Sequence, residues 1–529
     1  MPIITKPQSI TKGEDNIITL DKDNLANHAS VIADSYFSDQ SNWSRVYIQY
    51  RSAEGGQQNL IVFDAAQEEP EGSFDPSERA RDGDWTVVSL IIHDFDGGRL
   101  VINRGDLDEE DFDLFISVIW LDENFINNAV VDGTTARFNG IIRAIAIQSD
   151  GKILVGGEFT NYDGQTGVNR LIRLNADGTL DTDFRDNAVV DGTTARFNNA
   201  IRSIAIQSDN KILIGGTFNS YSGQTGVNRL IRLNADGTLD TNFVDNATRD
   251  GTTAKILGNV EAIAIQSDDK ILVGGTFSNY DGQTGVDRLI RLNADGTLDT
   301  TFRDNVVVDG TTPRFDNTVN EIIIQSDGKI LIGGVFQNYD SQTGVSRLIR
   351  LNSDDTLDTT FRDNAVVNGT TARFNGIINN ITIQSDNKIL AGGVFTNYDG
   401  QTGVNRLIRL NADGTLDTDF RDNAVVNGTT PRFNNSIDEI TIQSDGKILV
   451  GGDFLNYNGE TGVNQLVRLN ADGTLDTDFR DNVIVDGTTP RFNSIVLSMA
   501  AQADDKVLLG GIFTNYDGQT GVSYLIRVQ

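Results

Sequence analysis

A Gly-Gly pair recurs along the chain at Gly156-Gly157, Gly215-Gly216, Gly274-Gly275, Gly333-Gly334, Gly392-Gly393, Gly451-Gly452 and Gly510-Gly511, always 59 residues after the last. The text around the pairs repeats as well, so residues 121–529 are one unit written seven times without insertion or deletion. A fixed period of this size restricts the fold to a solenoid, a propeller or an array. It also supplies an internal alignment, in which scaffold columns can be told from variable ones.

The first copy reads as a meander of four strands, at 142–148 (IRAIAIQ), 152–159 (KILVGGEF), 171–175 (LIRLN) and 180–184 (LDTDF). Short Ile- and Leu-rich runs suit buried strands. Ser149-Asp150-Gly151 and Ala176-Asp177-Gly178-Thr179 supply tight turns, because Gly or Asn there accepts a positive φ. Longer connections run over 160–170 and 185–199, and no segment shows a helical period. Four short strands in each of seven copies predict an all-β, seven-bladed β-propeller. A solenoid rung needs fewer residues and no such pairing of tight turns with long loops.

The phase of the repeat predicts how the ring closes. A fourth-strand motif stands alone at 121–125, before any first strand, and the chain ends after a third-strand motif at 525–528. The early segment is expected to complete the last blade and cover its edge. Asp122 then serves Arg527 as Asp181 serves Arg173 in the first copy.

The strings AIQSDGKILVGG (146–157) and RLNADGTLDTDF (173–184) recur in every copy and resemble the delta-60 repeat family. The resemblance covers 121–529 and implies a β-propeller of the kind found in bacterial surface or secreted proteins and in phage tail proteins. It implies no functional residues.

Composition removes several chemistries. A net charge of −32 repels phosphate backbones and anionic lipid, so nucleic acid and membrane surfaces are poor partners. There is no cysteine for thiolate chemistry, and the only histidines, His28 and His93, lie outside the repeats. No apolar run approaches a membrane span, and the N-terminus lacks the pattern of a Sec signal peptide. The run from Asn175 to Asp181 spaces oxygens somewhat like a calcium loop but lacks the ligand set and the distal Glu; a hairpin turn is the better reading, and no cofactor or metal is expected. No catalytic constellation stands out, since abundant carboxylates make any one pair uninformative.

The internal alignment separates two faces. The turns after the first and third strands barely change, apart from Ser353-Asp354-Asp355 and Ala503. Variation gathers at the long-loop end. One column reads Arg143, Arg202, Glu261, Asn320, Asn379, Asp438 and Leu497. Its neighbour reads Ala144, Ser203, Ala262, Glu321, Asn380, Glu439 and Ser498, and a third column includes Glu158 and Asp453. Divergence in charge focused here marks a candidate ligand surface, against the alternative of a rim merely free to drift. An invariant column of tyrosines, Tyr162, Tyr221, Tyr280, Tyr339, Tyr398, Tyr457 and Tyr516, belongs to the same end. Exposed rings would suit glycan or protein recognition, whereas rings packed beneath their own loops would be structural.

Residues 1–118 are expected to form a small β-sandwich-like attachment or oligomerisation domain, with residues 119–529 forming the propeller. The strand signals lie at 46–50, 60–63, 85–92 and 99–103, with a hairpin turn at 94–98. The combined reading is a non-enzymatic recognition protein, a phage or phage-like tail fibre found in the virion tail or outside the cell after release. Its long-loop face would bind a host-cell surface glycan or receptor protein, its N-terminal domain would dock on a tail or baseplate protein, and a homotrimer would multiply weak contacts. The alternatives are a bacterial surface adhesin and a polysaccharide-degrading enzyme.

Overall fold

The computed structural model describes strand backbones between residues 17 and 115, Phe125, and most of each repeat, for example 138–162 and 168–188 of the first. The tips of the long connections, such as 163–167 and 189–196, lie outside the described residues. The chain divides into two compact units, 1–126 with 527–529, and 127–526.

The first unit contains a four-stranded antiparallel sheet in the order Gln57–Asp64, Trp43–Ser52, Trp85–Asp94, Arg99–Asn103. Each expected strand signal lies within one of these strands. A separate pair joins Ile17–Thr19 to Asp113–Phe115.

The second unit is built from the repeat. In the first blade Ile142–Ile147, Ile153–Gly157 and Leu171–Leu174 form an antiparallel meander. Its register runs Ile147↔Ile153 to Ile142↔Gly157, with a bulge between Ile142 and Ala144. The fourth strand is brief. Leu180 bridges to Leu174, and the chain then enters the helix Thr182–Ala188. Residues 180–184, read as strand throughout, are therefore divided, and the expectation of no helix is corrected. The cause is Asp181, whose Oδ1 accepts the Phe184 amide at 3.1 Å. That is an N-cap contact, which favours turning the chain into a helix over extending the ladder.

The first strand of every blade is innermost, and neighbouring inner strands pack side by side around a ring. The glycine pairs make this packing possible. A Cβ on Gly156 would stand 2.7 Å from Ile201 Cγ2 of the next blade. A Cβ on Gly510, in the last blade, would stand 2.6 Å from Ile142 Cγ2 of the first. The last blade thus meets the first as every other pair of neighbours meets, and the ring is closed. The core lies between blades. Leu154, Leu171 and Phe184 of the first join Ile201, Ile212, Phe218 and Ile231 of the second in one buried cluster.

A polar network repeats beside this core. Arg173 Nε donates to Asp181 Oδ2 at 2.9 Å, one terminal nitrogen donates to Gln148 Oε1 at 3.2 Å and to the Ala235 carbonyl of the next blade at 2.5 Å, and the guanidinium lies 4.3 Å over the Phe184 ring. Lys152 Nζ adds a bond to Asp181 at 2.7 Å. Within the first unit, Arg527 lies 4.5 Å over Phe125 in the same manner; Asp122, its expected carboxylate, is outside the described residues.

Candidate functional site at the channel wall

The bulge at the start of each inner strand places two successive variable columns at the wall of the central channel. In the first blade Arg143 Nε meets Glu158 Oε1 at 2.5 Å. In the next step Arg202 reaches Glu261 of the third blade at 3.5 Å. Asn320 Nδ2 donates to the Ile378 carbonyl of the following blade at 3.0 Å. Asn379 Nδ2 donates to the Ile437 carbonyl at 2.9 Å and to Asp438 Oδ1 at 3.0 Å. Asp453 Oδ2 accepts from Asn435 at 2.8 Å. Leu497 interrupts the polar column with a half-buried apolar side chain. A seven-fold backbone therefore carries a wall with no rotational symmetry in its chemistry.

The acidic sector lies on the fourth to sixth blades. Burial pushes the Glu321 carboxyl up to about 8. Burial, then the neighbouring Asp453 charge, pushes Asp438 up to about 6. Glu439 is raised well above the carboxylate range by burial, then by Glu321 and Asp438. Asn380, only 7% exposed, donates Nδ2 to Glu439 Oε2 at 3.2 Å, while its Oδ1 has no hydrogen-bond partner. On the adjacent third blade Glu261 is raised by burial against the opposing pull of Arg202.

Two readings of the sequence change here. The seven tyrosines are core, none more than 2% exposed. Tyr162 stacks edge-on against Phe138 at 4.8 Å and pairs with it across a backbone bridge, and Phe138 in turn stacks on Phe159 at 5.0 Å. This arrangement recurs wherever the partner column has Phe, and Ile256 replaces it in the third blade. The rings are therefore corrected from ligand candidates to packing residues. Conversely, Glu321 and Glu439 are charged departures in the second variable column, which supplied none of the named candidates; those came from the first and third columns and the tyrosines. The signal was that acids replace the Ala144 and Ala262 of other copies.

Seven segments, 148–184, 207–243, 266–302, 325–361, 384–420, 443–479 and 502–527, match the family model described as domain of unknown function (DUF5122) beta-propeller. The chain is a β-propeller repeat protein. No curated protein matches it in sequence. Similar solved structures include the WD40 beta propeller domain of Doa1, at TM-score 0.33 and 12% identity over 72% of this chain and 88% of that one. They also include YCF48 from Cyanidioschyzon merolae, at 0.32 and 13% over 75% and 97%. A third is the extracellular domain of the B. thetaiotaomicron protein BT3049, at 0.39 and 12% over 92% of this chain and 60% of that one. TM-scores this low carry no argument about ligand or activity. Among the described residues no helix is long and apolar enough to cross a membrane, and no three Asp, Glu, His or Cys side chains are grouped to hold a metal ion.

Proposed function

We propose that the propeller is a non-enzymatic recognition module that presents its channel rim to a host-cell surface glycan or receptor protein. A phage or phage-like tail fibre is the setting, with the N-terminal domain docking on a tail or baseplate protein and a trimer adding avidity. One observation carries the reading. Copies that are nearly identical in their turns and core diverge in charge where their inner strands begin, and there each blade makes a different set of polar contacts. Asymmetric recognition needs such a surface, whereas a scaffold alone has no use for it.

The test is binding to whole host cells and to a glycan array. Asp453→Lys and Asp438→Asn are expected to weaken binding several-fold, with Asp438→Asn melting at or above the wild-type temperature because it removes a carboxyl that burial disfavours. Asp150→Asn and Asp177→Asn, in the invariant turns, are expected to leave it intact. Equal loss from both sets would place the ligand elsewhere, and a fall in polysaccharide viscosity on incubation would favour an enzyme.

A further inference from the structure

We propose that Glu321, Asn380 and Glu439 form a site for a primary ammonium group on the channel wall. This rests on the recognition reading and deepens it by naming the charged group the ligand brings. The three residues occupy one column on three consecutive blades, so the ring's geometry sets two acids on either side of one amide. The influences on Glu439 are its burial, Glu321, Asp438 and Asn380, and those on Glu321 are its burial and the Ile322 amide; no cation is among them. By contrast Glu261 has Arg202 and Asp438 feels Arg143. The amide adds an independent sign of a missing donor. Asn380 is buried, its nitrogen is committed to Glu439, and its oxygen accepts nothing. Buried amide oxygens are nearly always hydrogen-bonded, and leaving one unmade is costly.

An ammonium group answers both deficits. It carries three N–H donors and no acceptor, which matches two carboxylates and one amide oxygen. A metal ion fits less well, since no third acidic or imidazole side chain is grouped with the two acids. Without ligand, burial favours the protonated form of both carboxyls. When the ammonium enters, those protons leave to solvent and the carboxylates accept its N–H bonds.

Isothermal titration calorimetry on the full chain, in buffers of different ionisation enthalpy, tests the site. The probes are glucosamine hydrochloride, Nα-acetyl-lysine amide, N-acetylglucosamine and calcium chloride. Glucosamine, the lysine derivative or both are expected to bind with proton release, and the probe preferred distinguishes an amino sugar from a lysine side chain as the source. Glu321→Gln and Glu439→Gln are expected to weaken that binding at least tenfold. Because Gln mimics a protonated carboxyl, both variants should melt at or above the wild-type temperature, which shows that they fold. Equal binding of N-acetylglucosamine, displacement of the amine by equimolar calcium chloride, or no amine heat that the Gln variants remove would overturn the proposal. A failed amine titration beside intact rim-dependent cell binding overturns only the ammonium site. Cell binding indifferent to Asp438 and Asp453 overturns the recognition reading instead.

Discussion

Asp355 breaks the repeat at a position that five other copies fill with Gly178, Gly237, Gly296, Gly414 or Gly473, and it offers a graded test of how the blades are joined. Those glycines adopt φ near +90°, and Asp355 adopts +72°. For a residue with a Cβ, this conformation costs about 1–2 kcal/mol. Space is also short, since a Cβ on Gly237 would stand 2.8 Å from the Phe184 ring. Asp355 offsets these costs with its carboxylate. Arg291 of the preceding blade donates to both oxygens, at 2.6 and 2.8 Å, and both residues are buried. Elsewhere the matching arginines, Arg173, Arg232, Arg350 and Arg409, donate to the backbone carbonyls of Ala235, Ala294, Ala412 and Ala471.

Asp355→Ala keeps the strained φ and removes the carboxylate. Breaking a buried pair costs about 3–5 kcal/mol. The low end, about 3 kcal/mol, applies here because Arg291 retains Asp299 at 2.9 Å. Asp355→Gly loses the same pair but relieves about 1–2 kcal/mol of strain. It also frees the chain to adopt the geometry of the other copies, with the Ser353 carbonyl as acceptor for a net gain of about 1 kcal/mol. The glycine variant is therefore expected within about 1 kcal/mol of wild type, and the alanine variant about 3 kcal/mol below wild type. Guanidinium denaturation followed by far-UV circular dichroism is the assay, because Trp43, Trp85 and Trp120 all lie before the first full repeat and their fluorescence reports on the wrong part of the chain. A glycine variant as unstable as the alanine variant would refute the exchange of side-chain for backbone acceptor.

Three further outcomes follow from contacts elsewhere in the ring. Glu321, Asp438 and Glu439 have folded-state values raised above the unfolded ones, so the native state binds extra protons. Their contribution to stability is complete below the ordinary carboxylate range and is lost as pH rises through about 6 and then about 8. Thermal melts are expected to show stability falling over that window and a flatter profile in Glu321→Gln; an unchanged slope would mean that the carboxyl is not proton-bound. At Asp181 burial pushes the carboxyl up, but the Lys152 hydrogen bond, the Phe184 amide and Arg173 more than reverse it, so its contribution is present above the ordinary range and lost on acidification. Gly510→Ala drives a methyl group to within 2.6 Å of Ile142 Cγ2, costing about 1–3 kcal/mol by overpacking. Combined with Ile142→Ala it is expected to cost less than the sum of the two single changes, and strict additivity would mean that the first and last blades do not meet there.

The period carried the fold because a blade cannot bury its own faces. A sequence that repeats glycine pairs and Ile-rich strands without slippage must stack equivalent surfaces, and the contact of Gly510 with Ile142 is the consequence. What the period concealed was local competition. The strand pattern at 180–184 was outweighed by one N-capping side chain, Asp181, whose effect depends on its Oδ1 meeting an amide three residues later. The tyrosine column was legible as invariant, but only the stack of Tyr162 on Phe138, which in turn packs on Phe159, decides for packing. Asp355 was legible as a departure from a glycine turn; its purpose depends on Arg291, 64 residues earlier, in a pairing that no local pattern encodes.

Whether the rim has a ligand turns on the cost of its divergence. A column released from constraint drifts toward residues that cost little, and Ala144, Ala262 and Ser498 are residues of that kind. Glu321 and Glu439 are not. Each is part-buried, each is held away from its ordinary ionisation, and Glu321 disfavours the charge of Glu439. Placing both in one sector, with a buried amide left short of a donor between them, lowers stability at neutral pH by an amount that Ala at the same positions would avoid. The contacts they do make, the Ile322 amide on Glu321 and the Asn380 amide on Glu439, leave both carboxyls raised, and neighbouring blades are joined by the arginine network and the glycine contacts, which are intact in copies lacking these acids. Relaxed constraint therefore accounts for the variability of the column and not for its content. A cost borne in the unliganded protein, at the wall of a channel, is what a site looks like when the group that offsets the cost arrives from outside.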